Sequence, residues 1–351
     1  MATLTETAYY SRKSIQWGII GLIIFFILKF LFGMAIDVWR KTFPPAPPPP
    51  TVAFGKLPAL KFPSGASPSA NLTYKLETIE GAPSVASSTA NVFFISKPSA
   101  NLLSFSRAKQ FASKLGFYSE PESENATTYR WQDNLNPLRV LKMNIVNGNF
   151  KMTYDYSLDI SLFTEKNLPT KDKAITEASE YLKELSLFPT TLNNGKTAVS
   201  YWQLSGNNLI LTTSMSNADA VRVDFSRENI LNLPLFSANH PYEPIYFLFS
   251  GNTDASKRIL ELSYYFWQID NYQQATYPLK SAANAWDELR SGKSFIINIG
   301  QNATSITIRK IYLAYYYPAD YQEFLQPIYV FEGDPNFLAY ISAVNPTWVG
   351  Q

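Results

Sequence analysis

Residues 17–39 read WGIIGLIIFFILKFLFGMAIDVW, and only Lys29 and Asp37 interrupt their apolar character. A helix of about 20 apolar residues crosses the roughly 30 Å of hydrocarbon in a bilayer. Trp17 and Trp39 bracket the segment, as interfacial aromatic residues bracket membrane helices. The segment therefore predicts one transmembrane anchor over residues 17–39, preceded by a short cytoplasmic tail over residues 1–16.

Two other interpretations of this segment remain open. In a cleaved signal peptide, Arg12 and Lys13 would form the charged n-region, and Gly33-Met34-Ala35 would offer small residues for cleavage. In the third interpretation, a buried core helix, the proline run that follows the segment would be hard to accommodate. Lys29 lies near the middle of the segment, where a charge costs about 2.5–3.5 kcal/mol on insertion scales.

The positive charges that flank the segment do not decide its orientation. Arg12 and Lys13 precede it, while Arg40 and Lys41 follow it, so the positive-inside count is nearly balanced. We expect the N-terminus inside, because a short tail before the anchor and a long domain after it is the usual signal-anchor arrangement. The domain is then extracytoplasmic, and the protein is localised at the cell membrane as a single-pass protein.

A proline run follows the anchor at once, and residues 43–50 read FPPAPPPP. Such a sequence favours a polyproline II rod that rises about 3.1 Å per residue. Proline and serine remain frequent to about residue 68. Residues 40–70 are therefore expected to be a stiff tether between the anchor and a soluble domain.

The composition excludes several classes of function. The 351 residues include 30 basic and 28 acidic ones, and this balance argues against a nucleic-acid partner. Cysteine is absent and His240 is the single histidine, which argues against metal sites, disulfide scaffolds and most general-base chemistry. No activated-serine motif or glycine-rich phosphate loop is present. We therefore expect no catalytic residues, no metal and no cofactor.

The soluble part repeats one pattern three times, in which an alanine-containing helix precedes a group of strands. The helices are expected at residues 105–115, 171–185 and 279–290. This rhythm predicts an α+β fold of two or three units, each with one amphipathic helix on a small antiparallel sheet. The unit boundaries follow as 71–160, with extra N-terminal strands, then 161–270 and 271–351.

The third unit carries a resemblance to a known family. Its helix reads AANAWDELRSGK at residues 282–293, and the strands that follow read IRKIYLAYYY at 308–317, LQPIYVFEG at 325–333 and FLAYISA at 337–343. This series resembles the C-terminal unit of YycH/YycI-type regulatory proteins and related PepSY-like modules, mainly over residues 260–345. The resemblance implies a membrane-anchored, extracytoplasmic protein without catalytic activity that modulates a sensor kinase or a protease.

Aromatic runs on predicted strands supply the candidate partner surface. Strand alternation sends every second side chain outward, so part of the runs at 264–267 and 315–317 is expected at the surface. The candidate residues are Tyr264, Trp267, Tyr315 and Tyr317.

Three functions follow from these observations. The first is non-catalytic binding and modulation of another envelope protein, with Lys29 pairing to a polar group on a partner helix. The second is a module that binds cell-surface glycan through outward-facing aromatic residues. The third is an envelope hydrolase, which needs two carboxylates at a fixed separation; the carboxylates considered are Glu120, Glu122 and Glu124, and the pair Asp155 and Asp159.

Overall fold

The computed structural model describes residues 4–42, 49–63, 72–83, 85, 87–300 and 303–350. The chain divides into two compact units, Met1–Pro49 and Pro50–Gln351. The predicted polyproline rod falls mainly on residues 43–48, which lie outside the described residues, as do residues 64–71 of the predicted tether.

The first unit contains helix α1, which runs from Leu4 to Thr42. The helix predicted over residues 17–39 is confirmed, and it extends further in both directions. Residues Ser11–Trp39 are long enough and apolar enough to cross a membrane. The same length and composition also suit a signal sequence, so the helix is compatible with a single-pass anchor and with a leader.

The second unit contains the remaining elements. Its helices are α2 (Ser104–Lys114), α3 (Lys171–Glu184), α4 (Thr190–Asn193), α5 (Ala255–Arg258) and α6 (Ala282–Arg290). Its strands are β1 (Thr73–Leu76), β2 (Thr89–Ile95), β3 (Glu122–Ser123), β4 (Thr128–Gln132), β5 (Arg139–Asn144), β6 (Phe150–Tyr154), β7 (Thr197–Ser205), β8 (Asn208–Thr212), β9 (Ala220–Phe225), β10 (Leu235–Phe236), β11 (Ile245–Ser250), β12 (Ile259–Tyr264), β13 (Ile269–Pro278), β14 (Phe295–Asn298), β15 (Ser305–Tyr316), β16 (Phe324–Leu325), β17 (Pro327–Asp334) and β18 (Phe337–Ser342).

Nine strands form one antiparallel sheet in the order β3-β4-β5-β6-β12-β11-β9-β7-β8. The hairpin between β5 and β6 turns at Gly148, whose φ of +75° suits the glycine of the Asn-Gly signal. In the centre of the sheet, β11 pairs with β12 on one side and with β9 on the other. The backbone donors and acceptors of each central strand therefore form hydrogen bonds to the neighbouring strands of the sheet.

The other strands form two smaller sheets. The six-stranded sheet has the order β1-β15-β17-β18-β14, and β10 also pairs with β15. In this sheet β1 lies parallel to β15, with Thr73 opposite Ser305. The three-stranded sheet places β2 between β13 and β16. These pairings join strands from opposite ends of the unit.

Helices cover one face of each large sheet. Small side chains on α2 and α3 let both helices lie close to the nine-stranded sheet, and α6 does the same on the six-stranded sheet. The buried helix positions are Ala108 and Ala112 on α2, Ala174, Ala178 and Leu182 on α3, and Ala282, Ala285 and Leu289 on α6. Gly116 follows α2 with a φ of +88°, which is typical of the residue that ends a helix.

The α+β class predicted from the sequence is wrong, because the described chain is mostly β. Sheets of six, nine and three strands organise it, and the helices other than α1 are short. The first and second predicted units share one sheet, since the nine-stranded sheet contains strands from both sides of the expected boundary at residues 160 and 161. The helix-then-strands rhythm is present in the sequence, but the sheets also pair strands that are far apart in sequence, such as β6 with β12 and β1 with β15.

Residues 50–63 of the predicted tether are also part of the folded unit. Leu57 is completely buried, and it pairs with Val349 near the C-terminus. Thr51 bonds to Thr276 on β13, and Phe62 stacks on Phe295 of β14. Residues 50–63 therefore belong to the domain, which shortens any free spacer.

Candidate ligand-binding cleft

A cleft of about 860 Å³ opens on the face of the nine-stranded sheet that α2 and α3 do not cover. Its floor comes from β6, β9, β11 and β12, Leu211 of β8 also lines it, and one wall is the loop of residues 237–244. The opposite wall comes from the end of β14 and two nearby loops. The polar and charged side chains of the lining include Lys151, Arg222, Asn239, His240, Tyr242, Glu243, Tyr246, Tyr265, Asn298, Asp320 and Asn336.

Strand alternation places the floor residues. On β9, Val221 and Val223 point into the core beneath α3, so Arg222 points the other way, into the cleft. On β11, Phe247 is completely buried in the same core, while its neighbour Tyr246 lines the cleft. The core on one face of the sheet therefore fixes the polar floor on the other.

Arg222 is held in place on three sides. Its Nε and Nη2 each donate to Asp224 at 2.8 Å. Its guanidinium lies 3.6 Å from the ring centre of Tyr246 and 4.8 Å from that of Tyr242. At such distances a cation is attracted to the face of an aromatic ring. Within the described chain, no protein group bonds to Nη1. The floor thus presents a preorganised donor to the cleft.

The second charged pair of the floor joins Lys151 to Glu261. Lys151 Nζ lies 3.1 Å from Glu261 Oε2, and Tyr246 also donates its hydroxyl to that carboxylate. Both positive charges of the floor are therefore neutralised by carboxylates at hydrogen-bonding distance.

Glu243 lies in the wall of the cleft, where burial raises its pKa to about 7. Its Oε1 accepts a hydrogen bond from Ser226 at 2.8 Å, and its backbone N–H donates to Asp224 at 2.8 Å. A large fraction of Glu243 is consequently uncharged at neutral pH.

His240 lies in the same loop and stacks on Phe236, with ring centres 4.2 Å apart. Burial lowers the pKa of His240, so the imidazole is neutral at pH 7. With Glu243 partly protonated and the floor charges paired, the exposed Asp320 is the clear negative charge at the rim.

The rim supplies polar groups that are available to a ligand. Within the described residues, no hydrogen bond uses the side-chain amides of three asparagines or the hydroxyls of two tyrosines. Each of these groups can both donate and accept hydrogen bonds. They belong to Asn239, Asn298, Asn336, Tyr242 and Tyr265.

The four aromatic residues predicted as a partner surface lie inside the domain. Their exposed fractions are 7% for Tyr264, 3% for Trp267, 1% for Tyr315 and 4% for Tyr317. The structure therefore places no partner surface at these residues.

Cover on both faces of the strands explains this burial. Phe93 of β2 packs against Tyr315, and Phe62 packs against the next residue, Tyr316, from another direction. Tyr315 donates its hydroxyl to the backbone carbonyl of Asn91 at 3.0 Å, and Tyr317 accepts a bond from the backbone N–H of Trp267 at 2.6 Å. Alternation predicts an exposed half only where one face of a sheet meets solvent.

Four of the five carboxylates that could serve hydrolysis belong to ion pairs, and the fifth, Asp155, accepts a hydrogen bond from Ser157. The three glutamates of residues 120–124 bind Lys109, Arg130 and Lys142 at the surface. A hydrogen bond from Lys257 is the main cause that lowers the pKa of Asp159. Among the described residues, no group of three or more His, Asp or Glu side chains could hold a metal ion.

The cleft residues are not predicted from the sequence, although one signal for them exists. The stretch Ala220-Val-Arg-Val-Asp-Phe225 alternates apolar and charged residues with a period of two. Such alternation indicates a strand with one polar face. That this face meets the loop of residues 237–244 depends on the tertiary fold.

Comparisons with known proteins add little about this chain. No family model matches it, and no curated protein matches it. An uncharacterized protein from Eubacterium rectale, known from a crystal structure, aligns with a TM-score of 0.39 and 16% identity, over 74% of this chain and 84% of its own. A likeness of this size supports no conclusion about fold or function.

Proposed function

We propose that the protein is a single-pass membrane protein whose residues 50–351 form a non-catalytic binding domain on the outer side of the cell membrane. The observation that carries the proposal is the cleft of about 860 Å³, whose size falls within the usual range of ligand sites. The apolar span of α1 supports the membrane anchor.

The state of the charged groups favours binding over hydrolysis. Acid–base cleavage of a glycosidic bond uses two carboxylates that face the substrate. In the cleft, Asp224 is engaged by Arg222 and by the backbone of Glu243, and Glu261 is engaged by Lys151. A floor of paired charges is suited to holding a ligand in one orientation.

The resemblance to YycH/YycI-type regulatory proteins implies that the protein modulates another envelope protein, either a sensor kinase or a protease. We propose that α1 takes part in this contact through Lys29, an unfavourable residue in hydrocarbon unless it finds a polar partner. Replacing Lys29 by Leu should then reduce the recovery of the partner after crosslinking in intact membranes. If the partner is recovered equally well with Lys29→Leu and with the wild type, the anchor does not take part in recognition through Lys29.

Site-specific photo-crosslinking in intact cells tests the cleft. A photoreactive residue at Asn336, on the cleft rim, should form an adduct with the ligand. The matched control is Asn284, an exposed asparagine on α6 outside the lining of the cleft. Adducts at Asn336 and none at Asn284 support the proposal. Absence of adducts at Asn336, or equal adducts at both sites, would contradict it.

A further inference from the structure

We infer that the ligand of the cleft is an uncharged, hydroxyl-rich glycan. The inference rests on the proposed binding function and assigns a chemical class to the ligand. Three observations lead to it, namely the pairing of the floor charges, the free amide and hydroxyl groups of the rim, and the position of the floor strands inside the sheet.

Charge pairing argues against an acidic ligand. An anion gains affinity from cations that are free to meet it. Here Arg222 binds Asp224 at 2.8 Å through two nitrogens, and Lys151 lies 3.1 Å from Glu261. Asp320 adds negative charge at the rim. Both cations of the floor are therefore already neutralised, which disfavours an acidic ligand relative to an uncharged one.

The free polar groups of the rim suit a ligand that carries many hydroxyls. A sugar hydroxyl both donates and accepts hydrogen bonds, and so do the side-chain amides of Asn298 and Asn336. Arg222 can donate hydrogen bonds to the ligand through Nη1 while Nε and Nη2 keep their bonds to Asp224. Because the Arg222 guanidinium is already fixed, a hydrogen bond to it orders little additional side chain.

Aromatic surface next to these groups completes the match. Tyr242 and Tyr265 line the cleft and are half-buried. The ring of Tyr265 offers flat apolar area, whereas the ring of Tyr242 contacts Arg222 and Trp202. Both hydroxyls stay available for hydrogen bonds. The combination of a planar ring and adjacent bifunctional polar groups recognises the apolar face and the polar edge of a sugar ring together.

The position of the floor strands argues against a peptide that binds as an added strand. Strand addition needs an unpaired edge, and β6, β12, β11 and β9 are all internal strands of the nine-stranded sheet. Two edge strands reach the cleft, β8 of the nine-stranded sheet at Leu211 and β14 of the six-stranded sheet at Ile297 and Asn298. Peptide pairing with β8 or β14 is the competing outcome that the experiment includes.

The test uses the full-length protein in lipid nanodiscs and isothermal titration calorimetry. Three of the probes are uncharged tetrasaccharides, built from glucose, from N-acetylglucosamine or from mannose. The other two probes are the acidic tetragalacturonate and an uncharged capped heptapeptide. At least one uncharged tetrasaccharide should bind. Asn298→Ala should weaken that binding about tenfold, as expected for a lost hydrogen bond. Asn284→Ala, the matched control, should leave it unchanged.

The outcomes separate this inference from the proposed function. Binding of tetragalacturonate alone or of the heptapeptide alone overturns the glycan class and leaves the cleft as a ligand site. Failure of every uncharged tetrasaccharide, with adducts at Asn336 still forming in cells, likewise overturns only the glycan class. Failure of all probes together with absence of those adducts overturns both.

Discussion

Replacing Glu243 by Gln should stabilise the folded protein at alkaline pH and change little at acidic pH. Glu243 is the carboxyl group in the cleft wall whose pKa burial raises from 4.5 to about 7. In the unfolded chain the same group ionises near 4.5. Between these two values the folded state holds more protons than the unfolded state, so stability falls as pH rises.

The magnitude follows from the two pKa values. Each pKa unit corresponds to 1.36 kcal/mol, so the full difference amounts to about 3 kcal/mol above pH 7 and to almost nothing below pH 4.5. Because solvent reaches part of the side chain, we expect a measured effect of about 2–3 kcal/mol at pH 8. Glutamine keeps an oxygen that accepts the hydrogen bond from Ser226, so the substitution removes the charge and little else.

Guanidinium denaturation of the full-length protein in nanodiscs, followed by tryptophan fluorescence from pH 4 to pH 8, measures this effect. The control variant is Glu80→Gln, at an exposed position, and it should follow the wild type at every pH. A stability gain for Glu243→Gln that is equal at pH 4 and pH 8 would refute the reasoning. A loss of stability at pH 8 would refute it as well.

Three further substitutions test the fold by the same denaturation assay. Leu57→Ala should cost about 2–5 kcal/mol, because Leu57 is completely buried although it lies in the predicted tether; the exposed control Ile79→Ala should cost almost nothing, and equal costs would contradict the packing of residues 50–63. Arg139→Met should cost about 3–5 kcal/mol, since it leaves the buried Asp133 without its ion partner at 2.6 Å; a cost below about 1 kcal/mol would refute this role. Gly251→Ala should cost about 1–3 kcal/mol, because its Cβ would lie 2.8 Å from the backbone nitrogen of Asn167; wild-type stability would show that this contact relaxes freely.

Local elements of this protein are readable from its sequence, because their signals are local. The helix predicted at 171–185 runs from Lys171 to Glu184, and the Asn-Gly hairpin falls between β5 and β6. The pairing of distant strands, in contrast, is not readable from local signals. The pairing of β1 with β15 joins residues more than 200 positions apart, and no local pattern encodes it.

The candidate site escaped prediction for the same reason. Arg222 and Glu243 come from β9 and from the loop before β11, and the loop residues Ser237 to Pro244 complete the cleft only after the sheets assemble. The exposed aromatic surface was expected from alternation alone. Tyr315 and Tyr317 are buried because a second layer covers the strand on each face, which alternation does not report.

Labelling of single cysteines in intact cells tests the central claim most directly, and the natural chain has no cysteine to interfere. Cysteine would replace Asn298 in the cleft or Leu135, which is 95% exposed and outside the cleft lining. With a membrane-impermeant maleimide, we predict that both label without permeabilisation, and that cleft ligand slows labelling only at position 298. Labelling that requires permeabilisation at both positions would contradict an extracytoplasmic domain, and equal protection at both would contradict a ligand in the cleft.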